Sequence, residues 1–295
     1  MSDSPTNDTA NTDGQDQDGR QDGGQRTVVV TGASDGIGAA MARSLAAAGD
    51  RVVVVGRSPE KTRAVAEEID APFLLADFAD LAQVEQLATR LVDEYPRIDV
   101  LVNNAGAVFG QRQTTGDGHE MTFQVDHLSP FLLTNRLLPV LTASRARVVT
   151  TSSAANLWGR IDVDDLDKER GPYRAQGAYG SAKLANILFT RELHRRHHAD
   201  GITATAFHPG GVATNFSVES GSWFRFVYGP VFNRFLLSAA QGADTGVWLA
   251  TEPGGAWTSG EYYAKRKPAR VNPQANDVVL ARQLWNRSEK LIANR

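Results

Sequence analysis

The chain has no cysteine among its 295 residues, which excludes disulfide frameworks, thiolate metal sites and thiol nucleophiles. It has no apolar run long enough to span a membrane. Its opening stretch, MSDSPTNDTANTDGQDQDGRQDGGQR, has neither the basic start nor the apolar core of a secretory leader. Stable membrane insertion is therefore not expected, and a cytoplasmic location is. Charge of one sign is not in excess either. Against 34 Asp and Glu stand 31 Lys and Arg, a net charge of −3 with the signs mixed along the chain, which argues against a nucleic-acid partner. Metal chemistry has little to work with: His208 has no second ligand at a suitable spacing and reads as packing, while His194, His197 and His198 close a helix whose dipole favours basic residues and read as solvated surface.

The apolar content, 41%, is enough for a sizeable core. Residues 1–26 are almost wholly polar and read as a disordered tail, because ordering them would cost entropy without burying anything. From Thr27 to the end the chain reads as one domain. TVVVTG, RVVVVG, APFLLAD, IDVLVNNAG, RVVTTSS and GITATAFHPG are short runs that are largely apolar rather than alternating. That pattern suits parallel strands covered by helices on both faces. Helices are expected at Ile37–Ala48, Leu81–Glu94, about Thr122–Leu141, Tyr179–Arg196 and about Pro273–Ile292, with a last short strand near Gly260–Tyr263. The fold class is α/β: a single doubly wound, Rossmann-type domain with a mostly parallel sheet of about seven strands flanked by helices.

Thr31–Gly38, TGASDGIG, lies where the first strand becomes the first helix, a junction at which backbone amides and the helix dipole can face a diphosphate. Gly32 permits the tight turn, Gly36 keeps a side chain away from the phosphate, and Gly38 lets helix and strand pack closely. A second element is Tyr179-Gly-Ser-Ala-Lys183, whose ends share a helical face. A phenol titrates near 10, and a neighbouring ammonium favours its anion, so Tyr179 beside Lys183 is a candidate general acid/base.

The spacing TGxxxGIG, the NNAG of Asn103–Gly106, the serine-bearing strand end TTSS and the Y-x-x-x-K pair together resemble the short-chain dehydrogenase/reductase family. SAKLANILFT, the 25 residues between Ser153 and Tyr179, and the C-terminal GEYY…ARQLWNRS are most similar to its retinol-dehydrogenase-like branch, over about Arg26 to Ile292. The resemblance implies hydride transfer between a nicotinamide and a carbonyl or alcohol. It assigns Ser153 to the substrate oxygen, with Ser152 a structural neighbour, and Lys183 to the nicotinamide ribose as well as to Tyr179. At the fourth family position, where relatives carry asparagine to hold a water, VDHLSPFLLT places Asp126. A carboxylate there accepts hydrogen bonds but cannot donate as an amide does, so the relay would survive in altered form. The implied cofactor contacts are Gly32, Ser34, Asp35, Gly36, Ile37 and Gly38 at the first turn, Asp77 and Phe78 past the third strand, Asn103, Ala105 and Gly106 past the fourth, and Pro209, Gly210, Val212 and Thr214 over the nicotinamide, together with Tyr179 and Lys183.

The end of the second strand carries no acid to bind free ribose hydroxyls. Arg57 offers a guanidinium to a phosphate and Ser58 a hydroxyl, so NADP(H) is favoured over NAD(H), with the negative charge of Asp35 as the opposing feature. Residues about 211–240, rich in Trp223, Phe224, Phe226, Tyr228, Phe232 and Phe235, read as an apolar lid; core packing, dimer contact and peripheral membrane contact are the competing readings. An apolar carbonyl or alcohol is the expected substrate, and a homodimer or homotetramer the expected assembly if there is one. Two other classes share these motifs: a cofactor-binding sensor without turnover, and an epimerase or dehydratase that retains NAD.

Overall fold

The computed structural model describes residues 24–210 and 237–293. Valine-rich runs make its centre: β1 (Thr27–Thr31), β2 (Arg51–Gly56) and β4 (Val100–Asn103) lie side by side, and all of β1 and β4 is buried. Successive residues serve opposite faces. Val29, Val53 and Leu101 enter one core, while Val28, Val30, Val52 and Val54 enter the other, which is why the strands read as continuous rather than alternating apolar runs.

With β3 (Phe73–Leu75), β5 (Arg147–Thr151), β6 (Thr203–His208), β7 (Tyr262–Ala264) and β8 (Lys267–Pro268), the sheet has the order β3-β2-β1-β4-β5-β6-β7-β8. It is parallel up to β7, and β8 alone is antiparallel. That makes eight strands rather than about seven. The additional strand is reached through a two-residue turn whose residues, Lys265 and Arg266, both have φ above 50°. Such turns normally announce themselves by Asn and Gly, and Lys-Arg gives no such signal.

Helices α1 (Gly36–Ala47), α2 (Pro59–Glu68) and α7 (Ala239–Thr251) cover one face; α3 (Leu81–Glu94), α5 (Ser129–Ala143), α6 (Ala175–His197) and α8 (Val278–Ala293) cover the other. Asp80 caps α3 by accepting from the Ala82 and Gln83 amides, and the helix occupies the residues expected of it. Three helices differ from expectation. The one expected from about Pro273 is a 3-10 turn, Pro273–Asn276, followed by α8 from Val278. α6 begins four residues before Tyr179. The helix expected from Thr122 to Leu141 is a composite, in which α4 (Met121–Phe123) leads into a π-helical segment, Gln124–Leu128, and then into α5. Pro130 supplies a cause, since it has no N–H to offer the Asp126 carbonyl four residues earlier, and an α-helix cannot close there.

The expected tail lies outside the described residues up to Gly23, but Arg26 belongs to the domain. Its guanidinium forms a two-bond pair with Asp50 at 2.8 Å and donates to the Ala250 carbonyl at 3.0 Å. No helix among the described residues is long and apolar enough to cross a membrane.

Candidate active site

The strand order reverses between β1 and β4, and the crevice beyond their carboxyl ends is where ligands bind in such sheets. Two side chains hold this edge in shape. The Thr31 hydroxyl donates to the Val102 carbonyl and accepts from the amides of Asn104 and Ala105, at 3.0 to 3.1 Å. The Asn104 amide donates to the carbonyls of Thr31 and Gly32, and its oxygen accepts from the Thr151 hydroxyl at 3.1 Å. The ends of β1, β4 and β5 are thus tied together by two residues. Gly32 and Gly38 complete the turn: a Cβ at Gly32, itself at φ +63°, would stand 2.7 Å from the Ala105 Cα, and one at Gly38 would stand 2.2 Å from the Gly32 carbonyl oxygen. Asp35 caps α1, accepting from the Gly36 amide at 2.7 Å, and its other oxygen meets Lys61 at 3.1 Å.

At the end of β5, Ser152 and Ser153 do different work. Ser152 is buried and donates to the Lys183 carbonyl at 2.7 Å, fixing α6 against the sheet. Ser153 is half-buried and caps a short 3-10 helix, Ala154–Trp158, accepting from the Ala155 amide at 3.2 Å. That bond uses an oxygen lone pair, so the hydroxyl hydrogen keeps its donor capacity. On α6, the half-buried Tyr179 and the buried Lys183 are one turn apart, with the Lys183 Nζ 5.5 Å from the centre of the Tyr179 ring.

Asp126 completes the group. Its carboxylate is buried, with Oδ2 3.0 Å from the Lys183 Nζ and Oδ1 accepting from the Ala107 amide at 2.7 Å. Burial pushes this carboxyl above the usual carboxylate range, against the pull of Lys183 and the Ala107 amide. Gly106 abuts both partners, since a Cβ there would lie 3.0 Å from the Asp126 Oδ1 and 3.1 Å from the Lys183 Nζ. The Asp126 carbonyl, deprived of a donor by Pro130, accepts from the Asn186 Nδ2 at 3.0 Å, and the same nitrogen reaches the Thr151 carbonyl at 3.2 Å. The Asn186 oxygen is thereby turned toward the His127 Nδ1, 3.3 Å away, and the His127 Nε2 lies 3.2 Å from the Ser288 hydroxyl on α8. Because Asn186 offers an acceptor, the His127 proton resides on Nδ1 and Ser288 donates to Nε2. The ring is fully buried, which lowers its pKa to about 4.

The other residues implied by sequence fall into three groups. Ser34, Asp35, Gly36 and Ile37 line the first turn, and Arg57 is exposed at the end of β2 beside it, with Ser58 spent on capping α2. Asp77 is half-buried, with one oxygen accepting from the Ala79 amide. Asn103 and Phe78 are turned inward. The Asn103 Nδ2 donates to Thr134 and its Oδ1 has no hydrogen-bond partner among the described residues, while the Phe78 ring is in the core and its carbonyl accepts from Ser129. Contact with an adenosine would therefore have to come from their backbone. Pro209 and Gly210 follow β6, where the Gly210 amide points at the His208 Nδ1, 3.3 Å away. Val212, Thr214 and the lid aromatics lie outside the described residues. His194 departs from its reading as solvated surface: it is half-buried, with Nδ1 2.8 Å from the Ser259 hydroxyl.

Sequence reasoning missed Thr31, Asn104, Asn186 and Lys61. Asn186 had a signal, an amide inside the apolar run LANILF. The other three reveal themselves only through partners distant in the chain. A pyrophosphate would fit the first turn, where α1 presents its N-terminus beside Gly32 and Gly36, both at positive φ, and where it would meet the Asp35 carboxylate that caps the Gly36 amide.

The profile of a family described as short chain dehydrogenase matches residues 26–224. A Streptomyces sp. (strain C5) protein bearing the name of a daunorubicin C-13 ketoreductase is 44% identical, over 91% of this chain and 93% of its own length. Human retinol dehydrogenase 13 is 37% identical over 90% of this chain and 84% of its own. Among solved structures, one from Mycobacterium paratuberculosis superposes with a TM-score of 0.74 at 34% identity, covering 91% of this chain and 94% of that one. The NADP complex of RhlG from Pseudomonas aeruginosa does so at 0.65 and 25% identity, covering 80% and 93%.

Proposed function

The chain belongs to the short-chain dehydrogenase family and is an oxidoreductase acting on a CH–OH/C=O couple with NAD(P), and on that premise we propose that it is an NADP(H)-dependent reductase of bulky apolar carbonyls in which Tyr179 is the general acid. When bound, the nicotinamide supplies or takes up the hydride. Everything else falls to the side chains around it. Ser153 keeps a donor hydrogen for the substrate oxygen and stabilises the charge that develops there. Tyr179 delivers a proton to that oxygen in reduction and removes one in oxidation. Lys183 stands beside the phenol, held in place by the Ser152 hydroxyl, which donates to the Lys183 carbonyl.

The preference for NADP(H) is supported by Arg57 at the end of β2 and by Lys61, which draws Asp35 into an ion pair, while the other acid there, Glu60, accepts from the Ser58 hydroxyl. An added ribose phosphate would therefore meet two cations and acids already partnered. The apolar substrate is supported by Leu157 and Trp158, four and five residues after Ser153 and 39% and 62% exposed, with the Trp158 ring against Gly180 beside Tyr179. Large apolar side chains left in water at a site's rim mark a surface for an apolar ligand. The names of the ketoreductase and retinol dehydrogenase relatives point to substrates of that size and character.

The observation that carries the reading is the Lys183 Nζ 5.5 Å from the Tyr179 ring, on a helix tied by Ser152 to the end of β5, where Ser153 is the next residue. Replacing Tyr179→Phe is expected to lower kcat by at least about a hundredfold, the range of one general acid, with NADPH affinity by fluorescence titration nearly unchanged. Retained turnover would remove Tyr179 from the mechanism.

A further inference from the structure

Asp126 has two acceptor oxygens facing two donors, the Ala107 amide at 2.7 Å and the Lys183 ammonium at 3.0 Å. An amide side chain could accept at one end only and would set its NH₂ against the other donor. The position is thus shaped for a carboxylate, and Gly106 closes over the pair so tightly that a methyl group would touch both partners.

The ionisable groups facing this pair are few. Glu120 is buried and spends its oxygens on the amides of Thr122 and Phe123 and on the Tyr173 hydroxyl. His127 is neutral between Asn186 and Ser288. Tyr179 stands on the α6 side. Asp126 and Lys183 are therefore each other's principal partner. Whichever of them carries the shared proton, the pair has no net charge, whereas a lysine beside a neutral residue would carry a full positive charge.

We propose that Asp126 is a positioning residue that neutralises Lys183 and so keeps the Tyr179 phenol protonated to higher pH than an unneutralised lysine would allow. This rests on Tyr179 being the general acid. It suits the enzyme to carbonyl reduction, where the phenol must be protonated when the substrate binds. Asp126 itself touches no substrate in this role. It acts on the acid through Lys183.

The test is an ultraviolet titration of the Tyr179 phenolate on the full chain, taken as the difference from Tyr179→Phe, in the natural protein and in Asp126→Asn. The phenolate midpoint is expected to fall by about one unit in Asp126→Asn, the size of effect a nearby like charge exerts, and the alkaline limb of the reductase pH profile is expected to move with it. An unchanged or higher midpoint in a folded Asp126→Asn protein overturns the proposal. If that variant does not fold, the natural protein decides alone: a midpoint within about one unit of the ordinary phenol value of about 10 agrees with the proposal, and one depressed toward neutrality overturns it. Because the titration requires no turnover, its outcome is distinct from that of the general-acid assignment, which fails only if Tyr179→Phe remains active.

Discussion

Lowering the pH should unfold this protein partly through a single ring. His127 is fully buried and neutral, held by Asn186 and Ser288, with a folded pKa of about 4 against an unfolded value of 6.5. The folded value lies below the unfolded one, so below pH 6.5 the unfolded chain binds a proton that the folded chain refuses. The stabilisation is complete above 6.5 and is lost as pH falls toward 4. From these two values, about 2 kcal/mol should disappear between about pH 7.5 and about pH 5, and about 3 kcal/mol by about pH 4. Other groups titrate in the same window, so the measurement is a comparison: urea unfolding of the natural protein and of His127→Gln across that range. The variant should be less stable at neutral pH, because the geometry between Asn186 and Ser288 is disturbed, but its stability should decline about 2 kcal/mol less on acidification to about pH 5. Parallel pH dependences in the two proteins would refute the reasoning, since they would mean that His127 takes up its proton in the folded state as readily as in the unfolded one.

Three further outcomes are expected. Gly106→Ala places a methyl group 3.0 to 3.1 Å from the Asp126–Lys183 pair and should cost about 1–3 kcal/mol together with much of the activity, whereas Gly116→Ala, with open space around it, should be nearly neutral; equal melting temperatures would show that the pair yields easily. Arg57→Ala should weaken NADPH roughly ten- to a hundredfold while leaving NADH almost unaffected, as loss of a charge-assisted bond to the added phosphate requires, and an equal loss for both would reverse the cofactor preference. Trp158→Ala should raise KM several-fold for planar polycyclic ketones, about the worth of one aromatic contact, and leave small aliphatic ketones alone; indifference to the ring would place the substrate elsewhere.

Much of the fold was legible because its signals are local. The unbroken valine runs follow from burial on two faces, and α3 announces both its apolar stripe and its Asp80 cap. The glycine turn and the Tyr179–Lys183 spacing are local as well, and the structure brings them to one edge. What escaped depends on partners far along the chain. Nothing in the sequence around Thr31 tells that its hydroxyl joins three backbone groups of β4 and the loop beyond it, and nothing near Asn104 tells that it ties together three strand ends. Asn103 shows the reverse: a polar residue at a strand end looks like a ligand contact, and only the fold shows that its Nδ2 serves Thr134 in the core. The break in the helix containing Asp126 required Pro130 to be read together with Asn186, some sixty residues later.

The outermost strand has a bearing on self-association. β8 is two residues long, both exposed: a lysine, and a proline that has no N–H. A second copy could not readily continue the sheet across that rim, because it would find one charged side chain, one missing donor and almost no length on which to align. Fibre-like stacking through this margin is therefore disfavoured.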